Sequence, residues 1–149
     1  MATNTILQSL NPVADGSGLT SSNRNQFETF IASEAISDGD LVCLDISKSS
    51  DGDKMLYIKK LKTDAGLTAV AVGIADEDIA SDASGRVVIR GFKADANITT
   101  GAAVGERFVG TGTAGRGDVL ANTSTIPALG YVITLAADNQ ADVFVLKQF

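Results

Sequence analysis

The chain has 149 residues, enough for one domain with a proper core and too few for two comfortable ones. Its hydrophobic content of 44% excludes a disordered chain, and its formal charge of −6 opposes attraction to phosphate backbones, so nucleic acid is not an expected partner. Histidine is absent, which removes imidazole as general acid, general base or metal ligand.

In chain order, residues 1–26 stand apart. The stretch 15–25 is rich in Gly, Ser and Asn and has no periodicity, so this segment reads as an extended N-terminal arm, either flexible or ordered only on assembly. Its apolar contact candidates are Ile6, Leu7 and Leu10. The rest, 27–149, reads as one all-β domain. Short runs of Val, Ile, Leu and Phe predict strands at 27–32, 41–46, 55–61, 69–75, 86–93, 106–109, 128–134 and 142–147. Gly, Asp, Ser and Asn fill the gaps, including 38–40, 50–53, 65–66, 84–85, 100–101 and the glycine cluster 110–117. About eight short strands at this spacing predict a β-sandwich or β-barrel. The best helical candidate, 76–81, is read as a turn.

A weak internal echo suggests two similar halves. Ala35-Ile36-Ser37-Asp38-Gly39 pairs with Asn97-Ile98-Thr99-Thr100-Gly101, Val72-Gly73-Ile74-Ala75 with Leu129-Gly130-Tyr131-Val132, and Arg86-Val87-Val88-Ile89 with Asp142-Val143-Phe144-Val145. The three pairs keep their order, as two units of one sandwich or barrel would. Chance likeness among β-strands is the competing reading.

Residues that could carry chemistry are few. The lone Cys43 lies in the apolar run Leu41-Val42-Cys43-Leu44. It permits no internal disulfide, and with no basic group nearby in sequence it reads as a buried, inert thiol. Gly110-Thr111-Gly112-Thr113-Ala114-Gly115 has the letters of a dinucleotide fingerprint. The following Arg116-Gly117-Asp118 starts no helix and supplies no Walker lysine, so a mobile contact loop is expected instead. Arg116-Gly117-Asp118 also spells an adhesion tripeptide, which three residues in such a loop match by chance. Asp76-Glu77-Asp78 and Asp51-Gly52-Asp53 lack the alternating acidic loop of a calcium site and read as solvated turn carboxylates. No catalytic, metal or cofactor residue is expected. No apolar run of about 18 residues predicts a membrane span. The start has no secretory pattern, so synthesis in a cytoplasm is the expectation.

Residues 71–91, from Ala71-Val72-Gly73-Ile74-Ala75-Asp76-Glu77-Asp78 to Val87-Val88-Ile89-Arg90-Gly91, resemble a stretch recurrent in tailed-phage virion proteins, above all head decoration (cement) proteins and related β-rich tail proteins. Ile36-Ser37-Asp38-Gly39-Asp40-Leu41-Val42 resembles the family's first strand entry, and Ala128-Leu129-Gly130-Tyr131-Val132 its closing strand. The resemblance implies a barrel or sandwich that forms a homotrimer on the capsid surface and bridges subunits of the major capsid protein, with no cofactor. Partner contacts would come from Ile6, Leu7 and Leu10 in the arm, and from Gly110, Gly112 and Arg116 in the loop. A tail, fibre or receptor-binding module is the alternative. A small hydrolase is a third reading, weakened by the absence of any nucleophile–base pair.

Overall fold

The computed structural model describes residues 25–63, 70–120 and 127–146. The arm candidates Ile6, Leu7 and Leu10 lie outside them. Nine strands and one short helix make up the described chain: β1 Gln26–Ala32, β2 Leu41–Leu44, α1 Asp51–Leu56, β3 Tyr57–Lys60, β4 Ala71–Ala75, β5 Ser84–Asn97, β6 Arg107–Gly110, β7 Gly117–Val119, β8 Gly130–Val132 and β9 Gln140–Val145. The expected all-β class holds.

Several expectations need correction. Ser84 and Gly85, expected in a gap, already begin β5. The run 55–61 is not all strand, because Met55 and Leu56 end α1. Ser50 caps that helix, its Oγ accepting from the backbone N of Asp53 at 3.0 Å, with Asp51 and Asp53 in the first turn. The stretch 50–53, expected to be a turn, is therefore a helix start. The glycine cluster is likewise not one loop, since Gly117 already begins β7. The segment 76–81 is a turn, as expected.

Strands β1, β3, β2, β4 and the first half of β5 close a barrel, because β1 pairs with β5 as well as with β3. The second half of β5 continues into β9, β8, β6 and β7, and a parallel bridge from Gly117 to Ile98 closes that sheet in turn. The two closures have the same topology. Val42 faces Lys60 and Gly73 as Phe108 faces Val119 and Gly130. Ile74 faces Val88 as Tyr131 faces Phe144, and Ile31 faces Ser84 as Asn97 faces Gln140. Even the parallel seam repeats: Ala32 pairs with Ile58 as Ile98 pairs with Gly117.

The echo is thus a structural duplication, with its first pair misregistered in the sequence reading. Gly39 matches Gly105 rather than Gly101. Gly39 has φ +84° and donates to Ala75 O at 3.1 Å; Gly105 has φ +85° and donates to Val132 O at 2.8 Å. The following acids also match, Asp40 accepting from Ser37 N and Glu106 from Ala103 N. Gly101 has positive φ too, so the letters alone favoured the wrong glycine.

The interiors occupy equivalent positions with different chemistry. The first barrel is filled by branched residues, among them Val42, Ile58, Val72, Val87 and Ile89. In the second, Phe108 replaces Val42 and glycine replaces Ile58. A Cβ on Gly117 would lie 2.7 Å from Ile98 and 3.3 Å from the Phe108 ring, and one on Gly130 would lie 2.8 Å from that ring. One aromatic ring therefore fills the room that two glycines leave. Gly73 and Gly130 share a further role: a Cβ at either would fall within 2.2 Å of the carbonyl of Val88 or Phe144 across the sheet.

The barrels are joined through β5, which turns at Gly91 (φ +114°). Asn25 clamps the turn, donating to Phe92 O at 2.7 Å and accepting from Phe92 N at 2.8 Å. The outer side of the first barrel, with Leu41, Cys43, Ile74 and Val88, then packs into the same apolar cluster as the second barrel's interior. The segment 110–117 is part of this junction rather than a free loop. Gly115 N donates to Leu61 O, Leu41 N to Gly115 O, and Thr63 N to Thr111 O. The buried Asp40 accepts from Asn97 at 3.2 Å and pairs with Lys60 at 3.1 Å. The buried Lys93 reaches Asp38 at 2.6 Å and Asp76 at 3.8 Å.

A second buried acid, Asp45, holds β2 to its neighbours. It accepts from Ser33 Oγ (2.7 Å), Ser47 Oγ (2.6 Å) and Ser47 N (3.2 Å), and pairs with Lys59 at 3.1 Å. Burial opposes its charge, but the bonds from Ser47, Ser33 and Lys59 outweigh burial and hold its carboxyl well below the ordinary range.

Two stability predictions result. Gly130→Ala should lower stability by about 1–3 kcal/mol, read as a lower urea midpoint, while Gly112→Ala, whose nearest neighbour would be 3.9 Å away, should change it little. A carboxyl with a depressed pKa adds stability that is complete above the ordinary carboxylate range and is lost as pH falls toward the depressed value. Asp45→Asn should therefore cost about 1–3 kcal/mol at pH 7 and flatten the loss of stability below about pH 5, measured by urea unfolding across pH.

Candidate interaction surfaces

The residues singled out for chemistry are engaged in holding the fold. Cys43 is 2% exposed. Burial pushes its thiol up, and Lys59, its partner across β3, draws it down by less. A basic neighbour is therefore present after all, brought in by the sheet pairing, yet the thiol form still prevails. The acidic turn 76–78 is no cluster of idle carboxylates either. Asp76 pairs with Arg86 at 2.9 Å, Glu77 accepts from Arg86 N, and Asp78 accepts from Asp38 N. Asp51 and Asp53 serve α1. Among the described residues no group of three or more metal-ligating side chains comes together.

The loop candidates divide. Gly110 ends β6 with its open side against Leu61 and Thr63. Arg116 donates from Nε to Asn97 Oδ1 at 3.1 Å. Gly117 is buried between Ile98, Leu41 and Phe108, so the adhesion tripeptide is not displayed as a loop tip. Gly112, Thr113 and Ala114 are exposed and form the free end of the hairpin.

Among the described residues, the fold presents apolar surface in two places. The first lies on the first barrel. Phe30, Leu44, Ile46, Met55 and Val70 line a groove of about 530 Å³, with Glu28, Asp51 and Lys54 supplying its charged groups. Phe27 and Leu56 add exposed apolar surface on β1 and α1, where Phe27 stacks against Arg86 at 5.4 Å. The second place lies on the outer side of the second barrel. Tyr131, Phe144 and Phe92 face one another in a row across β8, β9 and β5, as directly opposed residues on one face of a sheet do. Tyr131 is 41% exposed, and Val104, Ile133 and Leu135 extend the patch along the neighbouring turns. Sequence reading missed both surfaces. Each is assembled from residues far apart in the chain, and single exposed apolar residues carry no signal until the fold gathers them.

No protein-family model and no curated protein matches the chain. Solved structures that share its fold include two from phage heads. One is a chain of the capsid of the Myoviridae phage XM1, with TM-score 0.59 and 17% identity over 100% of this chain and 99% of that one. The other is the N base of the head fibre gp8.5 of bacteriophage phi29, with TM-score 0.54 and 14% identity over 82% of this chain and 94% of that one. The β-rich fold expected from the resemblance to phage virion proteins is the fold observed, and it is shared from end to end with a chain of a phage capsid.

Proposed function

We propose that this chain is a virion structural protein that binds the outside of a phage capsid, where it bridges and stabilises neighbouring capsid subunits. The observation that carries this reading is the end-to-end likeness to a chain of the XM1 capsid. The physical design agrees with it. Two small barrels stiffened by a buried polar junction offer surfaces rather than an enclosed site, and a lattice of identical contacts gains by avidity without tight binding by any one copy.

In this reading the protein acts as a homo-oligomer, a trimer by family resemblance, and its partner is the major capsid protein. Ile6, Leu7 and Leu10 of the N-terminal arm lie against the capsid, with the backbone joining a neighbour by strand addition. Within 110–117 the exposed tip at Gly112 makes the contact, while Gly110 and Arg116 hold the tip in place. The role is structural, with no turnover and no cofactor. The likeness to the phi29 fibre base supports a second reading, in which the chain is the base of a fibre standing on the head.

The test uses heads assembled without this chain from the genome that encodes it. Added full-length protein should saturate the heads at a fixed number of copies and raise their resistance to heat and low salt. Deleting residues 1–24 should weaken retention in co-sedimentation. Absence of any binding to heads would reject the proposal, and electron density at isolated stalks instead of across the lattice would favour the fibre base.

A further inference from the structure

The groove on the first barrel opens where several strand ends gather. β1 and β3 run parallel from this end, β2 finishes here at Leu44, and Val70 leads into β4. One wall of the groove is β1, through Glu28 and Phe30, and another is α1, which enters β3. Along this groove β1 has a bare edge. β5 pairs with each residue from Gln26 to Ile31, but β3 meets only Ile31 and Ala32. Ile31 turns its backbone toward β3, and by the alternation of the ladder Thr29 points the same way. Among the described residues no strand stands opposite Thr29. Gln26, Phe27, Glu28 and Thr29 are exposed one after another, whereas β5 beside them is buried from Val87 to Ile89.

The matching edge in the second barrel is covered by backbone from outside that barrel. Asn97, the equivalent of Ile31, donates from its backbone N to Gly39 O at 2.9 Å. Gly39 lies so close that a Cβ on it would fall 2.4 Å from the Asp95 carbonyl. In the first barrel, the chain that enters β1 starts beside the bare edge. Residues 1–24 lead into Asn25, whose side chain is tied to Phe92, so they leave the barrel at the end where the groove opens. Glu28 is three residues along β1 from Asn25, about 10 Å. Leu19, the nearest large apolar residue before β1, precedes Asn25 by six residues. That is a reach of about 20 Å, enough for a turn and the return. Ser21, Ser22 and Asn23 between them are turn formers. Leu10 precedes Asn25 by fifteen residues and can extend about 50 Å, against a radius of gyration of about 15 Å for a chain of this length.

We propose that residues 17–21 fold back along the bare edge of β1 in the same molecule and seat Leu19 in the groove. The added strand runs antiparallel to β1, as a short connecting turn requires. A two-residue turn at Asn23-Arg24 sets Leu19 opposite Glu28, on the face that Glu28 shares with Phe30. Main-chain bonds then occupy the free side of Thr29, and one branched side chain fills apolar space that water otherwise holds. The arm is thereby divided by length. Its last residues anchor it to its own barrel, while Ile6, Leu7 and Leu10 keep the reach to meet a neighbour. This anchoring belongs to the free protein and does not rest on the capsid reading.

The chain contains no tryptophan, so one placed in the arm reports on the arm alone. In full-length protein without heads, Leu19→Trp should show blue-shifted emission and acrylamide quenching several-fold slower than Leu7→Trp. Both signals should be unchanged on dilution. Adding Met55→Asp, at an exposed position of the groove wall, should return the Leu19→Trp emission to that of a solvated ring. Ile46→Asp serves in its place if Met55→Asp lowers the urea midpoint. A solvated ring in Leu19→Trp overturns the proposal. So does protection that fades on dilution, which places the arm in the groove of another copy, or protection that survives the added acid, which places Leu19 elsewhere. Normal binding to heads with a solvated ring at position 19 would reject this anchoring and leave the capsid reading standing. Loss of head binding with the ring protected would do the reverse.

Discussion

The structure depends on one strand serving as wall in two barrels. β5 pairs with β1 and β4 before Gly91 and with β9 after it, and the backbone can turn there only because no side chain has to fit against Asn25. Asn25 then supplies, from its side chain, the donor and acceptor that a neighbouring strand would have offered. Each barrel closes against a different half of the same strand. Each closure is completed by its own strands, so neither barrel presents an unpaired edge to be covered by the other.

Around that strand the duplicated halves have diverged where they meet. The first barrel keeps a branched aliphatic interior and turns an apolar row toward its neighbour. The second has replaced part of its wall with glycine and filled the interior with the Phe108 ring, so that Leu41 of the first barrel approaches to within 3.1 Å of where a Cβ on Gly117 would stand. Charge sits at the seam only where it is paired: Asp40 with Lys60 and Asn97, Lys93 with Asp38 and Asp76. Removing one member of such a group leaves its partner buried and unsatisfied, so the groups set the geometry of the seam more than they add to stability.

Most of this was legible from period and turn chemistry. The expected strands 27–32, 69–75 and 142–147 overlap β1, β4 and β9, because alternating burial is local information. The α1 helix was missed although its cap was in view: Ser50 followed by Asp53 is a helix-start pattern, but Gly52 in the first turn and the Met55-Leu56-Tyr57-Ile58 run both argue for strand. β7 was hidden because Gly117 is a strand residue for a reason no window can show, the ring of Phe108 beside it. The contact surfaces were illegible in a different way. Tyr131, Phe144 and Phe92 become a row only through pairings that span the second half of the chain.

The internal junction has a consequence for synthesis. β1 to the first half of β5 can close as soon as residue 90 has left the ribosome, since all their partners are then present. The row Leu41, Ile74 and Val88 is complete at that moment, yet what covers it is still unmade and arrives only with the strands up to Val145. For the time needed to translate about fifty residues, at roughly 5–20 residues per second, the nascent chain carries a finished barrel with a bare apolar side. Nascent chains crowded on one message would meet each other through that side. The closing strand of the second barrel is thus also the step that ends the chain's exposure to its own copies.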